Sequence, residues 1–273
     1  MKDFSISFLS SILTSYIIYP IDVIKSQYQY NNIARHNNKS INNIKVKNLI
    51  ISNWKNNYIK GFYKGFSLHI STYPIFWGIF FQINNNKSYK LIKNNYINQF
   101  LLSFTSSLIA STITNPLFVI KIKAQIEVLK NNQKNYKNII YNIYNNNGFF
   151  GLMKGWKSTQ LNNLKIGLQI PLYNLFISNF AKYNNNNKNI NCIILSSFFS
   201  KIISSTLFYP LDNIRTYQRN SVKNVSLKKC SKLIYKKYGI TGFYKGVFIY
   251  NCFSCPNFVL MMYFIELLNK KLK

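Results

Sequence analysis

The chain has 273 residues, 48% of them hydrophobic and 17% aromatic, and its 35 Lys and Arg against 5 Asp and Glu give a net charge of +30. Apolar runs recur along its whole length, which argues against a disordered basic chain. The basic residues lie between and at the ends of these runs, a distribution typical of membrane proteins with basic loops and not of nucleic-acid-binding proteins, which gather them into one patch.

The chain begins with an apolar run over residues 4–29 that ends in the stretch IYPIDVIKSQYQ, from Ile18 to Gln29. The preceding residues contain neither a small-residue cleavage site nor an Arg-rich amphipathic transit sequence, so any import signal is expected to be internal. Within the stretch, Asp22 follows Pro20 by two residues and Lys25 follows it by five. An acid and a base are thus placed together at the end of an apolar run.

The same proline motif returns as TNPLFVIKIKAQ, starting at Thr114, and as FYPLDNIRTYQR, starting at Phe208. A glycine motif repeats in step with it, as GFYKGF, GLMKGW and GFYKGV at residues 61–66, 151–156 and 242–247. Because two unlike motifs recur three times in phase, the sequence predicts an internal triplication. The predicted repeats cover residues 1–93, 94–186 and 187–273.

Six apolar runs alternate with polar, basic connectors, and each is long enough to cross about 30 Å of hydrocarbon as a helix. They cover residues 4–29, 66–92, 97–125, 157–181, 190–219 and 247–269. The hydroxyl side chains within them are expected to face neighbouring helices or a water-filled cavity, not lipid; they are Ser10, Ser11, Thr14, Ser103, Ser106, Ser107 and residues 204–206. The sequence therefore predicts an all-α membrane protein with six transmembrane helices.

A proline inside a helix removes a backbone hydrogen bond and is expected to kink the helix. The candidate kinks are Pro20, Pro116 and Pro210. In the first and third motifs, the acid and the base beyond the proline lie about one turn apart on the same face. If the helices surround a common axis, an acid on one helix can reach a base on the next and close the axis with buried ion pairs.

These three proline motifs, together with the in-phase glycine motifs, resemble the signatures of the mitochondrial carrier family. The resemblance covers essentially the whole chain. It implies six helices with pseudo-threefold symmetry around a central cavity, in a monomer of the mitochondrial inner membrane or another organellar membrane that moves a small solute by alternating access.

The resemblance also implies an ion-paired gate on the matrix side. Its pairs would be Asp22 with Lys121, and Asp212 with Lys25. Such a gate closes the pathway when no solute is bound.

The third repeat and the second repeat depart from the family pattern at this gate. Phe118 takes the place of the third acid, so Arg215 is expected to lack a partner. Gln29 and Gln125 resemble the glutamines that brace the ion pairs, and Arg219 stands at the third such position. A gate with two ion pairs should open more easily than one with three.

The glycine motifs resemble cardiolipin-binding helix starts, at which glycine lets a lipid phosphate approach backbone N–H groups and lysine adds charge. The residues implied are Lys64, Gly65, Lys154, Gly155, Lys245 and Gly246. Solvated loop turns would explain one such copy but hardly three.

A second, cytosolic gate is implied at the opposite ends of the even-numbered helices. Its positions are held by Asn84 with Lys87, by Asn174 and by Glu266. Glu266 is the one acid among them, and Lys270 is displaced by one residue from the expected base. This gate is therefore expected to be weak and to rely partly on amide hydrogen bonds.

Family analogy places the substrate contacts midway along the even-numbered helices. The polar and aromatic residues available there are His69, Ser71, Asn162, Asn163, Lys165, Asn251 and Phe253. The set holds no arginine cluster, which transport of nucleotides or dicarboxylates would favour. For each residue, a packing contact between helices is the alternative.

The stretch GWKSTQLNNLKIGLQIPLYNLF, from Gly155 to Phe176, is similar to the fourth helix of S-adenosylmethionine carriers. Those carriers usually have an arginine, a glutamate and a proline where this chain has Asn162, Asn163 and Lys165. The resemblance implies exchange of S-adenosylmethionine for S-adenosylhomocysteine. A mitoferrin-like metal-ion carrier or an amino-acid carrier is the alternative, favoured if His69 and the Cys252/Cys255 pair are essential.

Catalysis is not indicated, because two histidines and five acids form no nucleophile-and-base arrangement. No cofactor or metal site is expected, and four scattered cysteines do not make a disulfide framework. A basic nucleic-acid-binding protein is the alternative from a different class, and it would not need detergent for extraction.

Overall fold

A computed structural model describes residues 2–37, 65–86, 95–129, 136–153, 155–183, 189–220, 226–244 and 246–271, with a few residues between 47 and 63. The described elements are all helical. The long helices are α1 (Lys2–Asn37), α2 (Phe66–Asn84), α3 (Asn95–Leu129), α6 (Leu164–Tyr183), α7 (Ile190–Asn220) and α10 (Val247–Lys271). The shorter helices are α4 (Tyr136–Asn147), α5 (Trp156–Asn162), α8 (Leu227–Tyr238) and α9 (Thr241–Tyr244), with a 3-10 turn at Phe149–Gly151.

The six long helices form a closed ring. Each packs against two neighbours in the order α1, α2, α3, α6, α7, α10 and back to α1. Among the described residues, four segments are long and apolar enough to cross a membrane, namely Lys2–Ile24, Asn95–Lys123, Ile190–Arg215 and Thr241–Lys271. The remaining ring helices, α2 and α6, are shorter, with 19 and 20 residues. The predicted all-α membrane fold is confirmed.

The predicted span over residues 157–181 is divided at Asn163 into α5 and α6. The backbone N–H of Asn163 bonds the carbonyls of both Thr159 and Gln160, which tightens the turn. Its side chain donates to the backbone carbonyl of Ser107 and the hydroxyl of Ser111, at 3.2 and 2.7 Å. A side chain anchored to α3 therefore lies at the point where α5 passes into α6.

The hydroxyl side chains of the spans are buried between helices, as predicted. Ser10, Ser106 and Ser204 have no exposed surface. Many of these hydroxyls donate to a carbonyl one turn earlier on their own helix, as Ser10 does to Ile6 at 2.6 Å. The small side chains allow close helix approach, and a bond to a carbonyl of the same helix satisfies a hydroxyl donor without water.

The prolines lie inside the ring helices, and each helix continues through its proline. Pro20, Pro116 and Pro210 lie toward one end of the ring, here called the proline end. The opposite end, here called the mouth, is formed by the start of α1 and the ends of α2 and α10. The kinks stay a prediction.

The connecting helices pack against the proline end. Ile139 and Ile143 of α4 lie against Val119 and Ile120 of α3. In the third repeat, Cys230 and Ile234 of α8 lie against Ile214 of α7 in the same manner. Burial raises the pKa of the Cys230 thiol, so this thiol stays protonated at neutral pH.

The glycine motif of the third repeat is held by close packing. A side chain added at Gly242 would lie 2.5 Å from Cβ of Tyr238, an atom that cannot move without the backbone. The carbonyl of Gly242 also accepts a hydrogen bond from Asn213 of α7 at 3.1 Å. Gly242 therefore joins the α8–α9 connection to α7.

Gly242→Ala is expected to destabilise the protein by about 1 to 3 kcal/mol, because the added methyl group overpacks this connection. Thermal unfolding in detergent measures the effect, with Ile240→Ala as control because the Ile240 side chain is 69% exposed. Equal melting temperatures for the two variants would contradict the packing argument.

Candidate functional site

The first charged cluster at the proline end joins three helices. Lys121 of α3, 6% exposed, donates to Oδ2 of Asp22 on α1 at 2.9 Å. Its Nζ also lies 2.7 Å from Nδ1 of His69 on α2, which accepts when the ring proton is on Nε2. The His69 ring stacks on Tyr73 at 5.1 Å between centroids. A buried ammonium thus ties α1 and α2 to α3.

The second charged cluster surrounds Asp212 of α7, which is 2% exposed. Lys165 of α6 donates to its Oδ2 at 2.5 Å, and Arg215 donates to its Oδ1 at 2.7 Å. Asn162 of α5 adds a third donor to Oδ1 at 2.8 Å. Lys165 also donates to the hydroxyl of Tyr250 on α10 at 2.9 Å. One carboxylate therefore gathers two cations and an amide.

The predicted contact between Asp22 and Lys121 is present, while its role as a gate stays a prediction. The pairing of Asp212 with Lys25 falls on a side chain outside the described residues, as do the braces Gln29 and Gln125. The side chain of Arg219 is outside them too.

Arg215 has no acid at position 118 to pair with, as expected, but it has another partner. Arg215 pairs with Asp212 on its own helix, because a spacing of three residues places both on one face. Phe118, which stands where the third acid was expected, packs against the apolar cluster and meets the Phe76 ring edge-on at 6.3 Å. Aromatic packing occupies the third position of the ring.

The structure brings three of the seven predicted substrate residues into the charged clusters, namely His69, Asn162 and Lys165. Asn163 contacts α3 instead, and Asn251 bonds Ser205 at 2.5 Å and Thr206 at 3.1 Å on α7. These two amides serve helix packing.

Among the described residues, the remaining two predicted substrate residues have no hydrogen bond or aromatic ring pair with another helix. Ser71 is exposed and donates to the carbonyl of Ser67 on its own helix. Phe253 is partly buried on α10.

Lys201 of α7 is a central residue that the sequence reasoning missed. It donates to Oε1 of Gln169 on α6 at 3.1 Å and lies 5.4 Å from the centre of the Phe258 ring on α10. A lysine inside an apolar run was the available signal, because ionisable residues in a span are usually functional.

An apolar and aromatic layer separates the charged clusters from the mouth. Tyr73 of α2 donates to Oδ1 of Asn257 on α10 at 2.8 Å, a bond between helices that are not neighbours in the ring. Phe80 and Met261, both without exposed surface, belong to the cluster around this bond. Tyr73 and Asn257 therefore span the centre of the ring.

At the mouth, a pocket of about 160 Å³, here called the mouth pocket, is lined by residues that include Asp3, Ser7, Asn84, Tyr173, Asn174 and Glu266. Asn84 accepts from Ser103 at 2.9 Å, and Asn174 donates to Gln99 at 3.2 Å. The predicted gate residues Asn84 and Asn174 thus bond α3 in this structure. Lys87 lies outside the described residues.

Two of the glycines proposed for lipid contact, Gly65 and Gly155, precede the first residues of α2 and α5 with φ of 83° and 75°. Gly246, before α10, has φ of 93°. L-residues rarely adopt this conformation, which explains glycine at the three equivalent positions. Lys64, Lys154 and Lys245 lie outside the described residues.

No group of three or more His, Cys, Asp or Glu suited to a metal ion occurs in the described part of the chain. Cys252 is exposed and Cys255 is buried, and both are free thiols. The geometry thus adds no support to the metal-ion alternative.

A profile of the family described as Mitochondrial carrier protein matches the chain three times, over residues 1–94, 92–184 and 186–273. The chain is 30% identical to Mitochondrial substrate carrier family protein W of Dictyostelium discoideum, over 88% of this chain and 76% of that protein. It is 25% identical to Nicotinamide adenine dinucleotide transporter 1, chloroplastic, of Arabidopsis thaliana, over 87% and 81%. Mitochondrial nicotinamide adenine dinucleotide transporter 1 of Saccharomyces cerevisiae is 25% identical over 68% and 55%.

Asp212→Asn is expected to destabilise the protein more than Asp22→Asn does. The first change leaves Lys165 and Arg215 without their shared carboxylate, whereas the second removes the carboxylate from one described cation, Lys121. Breaking a buried pair costs about 3 to 5 kcal/mol. Thermal unfolding of the two purified variants decides the order, and an Asp212→Asn protein as stable as the unmodified chain would refute it.

Proposed function

Because this chain belongs to the mitochondrial carrier family, we propose that it exchanges a small organic solute bearing a phosphate or carboxylate across a mitochondrial membrane by alternating access. Members of the family are transporters that bind small-molecule substrates. The chain is accordingly a multi-pass membrane transporter and not an enzyme. The nature of the solute is the proposal.

The observation that carries the proposal is a surplus of cations at the centre of the ring. Lys121, Lys165 and Arg215 pair with Asp22 and Asp212, and Lys201 lies farther along α7 against Gln169 and Phe258. Among the described residues, four basic side chains thus stand against two acids. Charges interact strongly where water is excluded. An anionic group on the solute would offset this surplus.

Lys165 connects such an anion to the proposed gate. It lies on the helix to which family analogy assigns substrate contacts, and it holds Oδ2 of Asp212. A solute anion that draws Lys165 away removes one of the described donors to Asp212 and leaves Arg215 and Asn162 as the others. Binding would thereby weaken the contact between α6 and α7 and offset part of the cost of opening the proline end.

Nicotinamide adenine dinucleotide is the first candidate solute, because two similar proteins are named as its transporters and its diphosphate suits several lysines. Exchange of S-adenosylmethionine for S-adenosylhomocysteine is the second. The α5–α6 sequence resembles that of such carriers, and Asn162, Lys165 and Asp212 together suit the carboxylate and ammonium of an amino acid.

Uptake into liposomes that contain the purified protein tests the solute class. Uptake of radiolabelled nicotinamide adenine dinucleotide is measured with the unlabelled compound inside the liposomes. Uptake of radiolabelled S-adenosylmethionine is measured with unlabelled S-adenosylmethionine or S-adenosylhomocysteine inside. If internal solute stimulates the uptake of one labelled compound, that candidate is supported. No uptake of either by folded protein would reject both and leave the family assignment intact.

Lys165→Gln is expected to lower exchange at least about tenfold, because a neutral amide cannot replace a charged donor in a dry site. Lys182→Gln is the matched control, since Lys182 is exposed at the end of the same helix. Equal exchange rates in the two variants would show that Lys165 does not take part in transport.

We further propose that the protein is a monomer of the mitochondrial inner membrane and binds cardiolipin at its three glycine motifs. The shared positive φ of Gly65, Gly155 and Gly246 supports a common role. Each of these glycines precedes a helix, and helix N-termini favour the binding of phosphate groups.

Cardiolipin is expected to raise the melting temperature of the detergent-purified protein, and phosphatidylcholine to raise it less. The triple variant Lys64→Gln, Lys154→Gln, Lys245→Gln should lose most of the difference, whereas Lys182→Gln should keep it. A full cardiolipin shift in the triple variant would show that the motif lysines do not bind the lipid.

A further inference from the structure

The mouth pocket concentrates negative charge in a strongly basic protein. The chain has 5 acidic residues against 35 basic ones, and two of the five, Asp3 and Glu266, line this one pocket. Asp3 lies in the first turn of α1 and Glu266 near the end of α10. The chain folds so that two acids far apart in sequence meet at the mouth.

The two carboxylates are not used to hold the helices together. Within the described part of the chain, the ion pairs join Lys121, Lys165 and Arg215 to Asp22 and Asp212. Neither Asp3 nor Glu266 has a side-chain hydrogen bond or ion pair among the described residues. Their charge is therefore available to a ligand.

A third polar group in the pocket lacks a partner. Tyr173 of α6 lines the mouth pocket and is 5% exposed, and its buried hydroxyl has no hydrogen-bond partner among the described residues. A buried polar group without a partner costs free energy, which a ligand at this position would recover. The aromatic ring also presents a surface that attracts cations.

Simple structural roles do not account for the set. The dipole of α1 stabilises the Asp3 carboxylate, because negative charge is favourable in the first turn of a helix. The dipole gives no such support to Glu266 near the carboxyl end of α10, nor does it concern the Tyr173 hydroxyl. The walls are also fixed in place, because Asn84 and Asn174 are anchored to α3 by Ser103 and Gln99.

We propose that the mouth pocket is a binding site for the organic cation of a dipolar solute, with Asp3 and Glu266 supplying the charge and Tyr173 the aromatic and hydroxyl contact. Two carboxylates without a third charged ligand suit a singly charged organic cation better than a divalent metal.

The proposal rests on the transport function proposed above and narrows its substrate class. The mouth holds acids and the proline end holds surplus cations, so a solute with a cation at one end and an anion at the other matches both. Nicotinamide adenine dinucleotide carries a pyridinium and S-adenosylmethionine a sulfonium, each joined to an anionic group. Solutes that are anions only would gain nothing from the mouth pocket.

Choline and its neutral isostere 3,3-dimethylbutan-1-ol test the site without relying on transport. Choline chloride is expected to raise the melting temperature of the purified protein in a saturable manner at constant ionic strength, and the isostere is not. Glu266→Gln and Asp3→Asn should each weaken apparent choline affinity by about fivefold or more. Ser178→Lys is the control, because it raises the net charge by the same amount as either acid variant but at an exposed position of α6. This variant should retain the choline affinity.

Three outcomes would overturn the proposal. They are equal shifts by choline and the neutral isostere, equal shifts by choline and potassium at the same concentration, and unchanged choline affinity in both acid variants. Transport of a labelled solute without choline binding rejects the mouth site alone. Choline binding without uptake of either candidate solute rejects those solutes and leaves the mouth site standing.

A kinetic measurement extends the test once a transported solute is found. Glu266→Gln should raise KM for a solute with an organic cation by about fivefold and leave KM for a purely anionic solute unchanged. A merely structural role for Glu266 would change both KM values alike.

Discussion

The helix arrangement at the proline end of this protein depends on the buried carboxylate of Asp212. A charge with 2% exposure is tolerated only when donors surround it, and Lys165, Arg215 and Asn162 supply them from three helices. The same requirement brings Lys121 to Asp22 across the ring. The positions of α1, α3, α6 and α7 at this end follow from the need to pair buried charge.

The threefold repeat gives a symmetric scaffold that the side chains then make asymmetric. Two positions of the ring hold ion pairs, and at the third Phe118 packs against Phe76. Ion pairs and apolar contacts respond differently to a charged solute, because only the ion pairs can exchange partners with it. Lys165 belongs both to the helix of the proposed substrate contacts and to the pair with Asp212. It would therefore connect solute binding with the opening of this ion pair.

Charge is also divided along the axis of the ring. Basic side chains exceed acids at the proline end, whereas Asp3 and Glu266 lie at the mouth. Between them, the bond from Tyr73 to Asn257 and the aromatic layer keep the two regions apart. Under the proposed transport function, a solute that crosses would displace apolar contacts, and charges at its two ends would offset that cost.

The sequence by itself determined the six helices, the triplication, the burial of the hydroxyl side chains and the family, because these depend on local periodicity and on spacings that repeat. The resemblance to the family also indicated that Asp22 and Lys121 belong together. The tertiary structure alone decided that Asp212 pairs with Lys165 and Arg215, that Asn163 and Asn251 serve packing, and that Asp3 and Glu266 share a pocket. These contacts join residues on different helices or choose among several possible partners, and such choices depend on how the helices are rotated and tilted against one another, which no local pattern specifies.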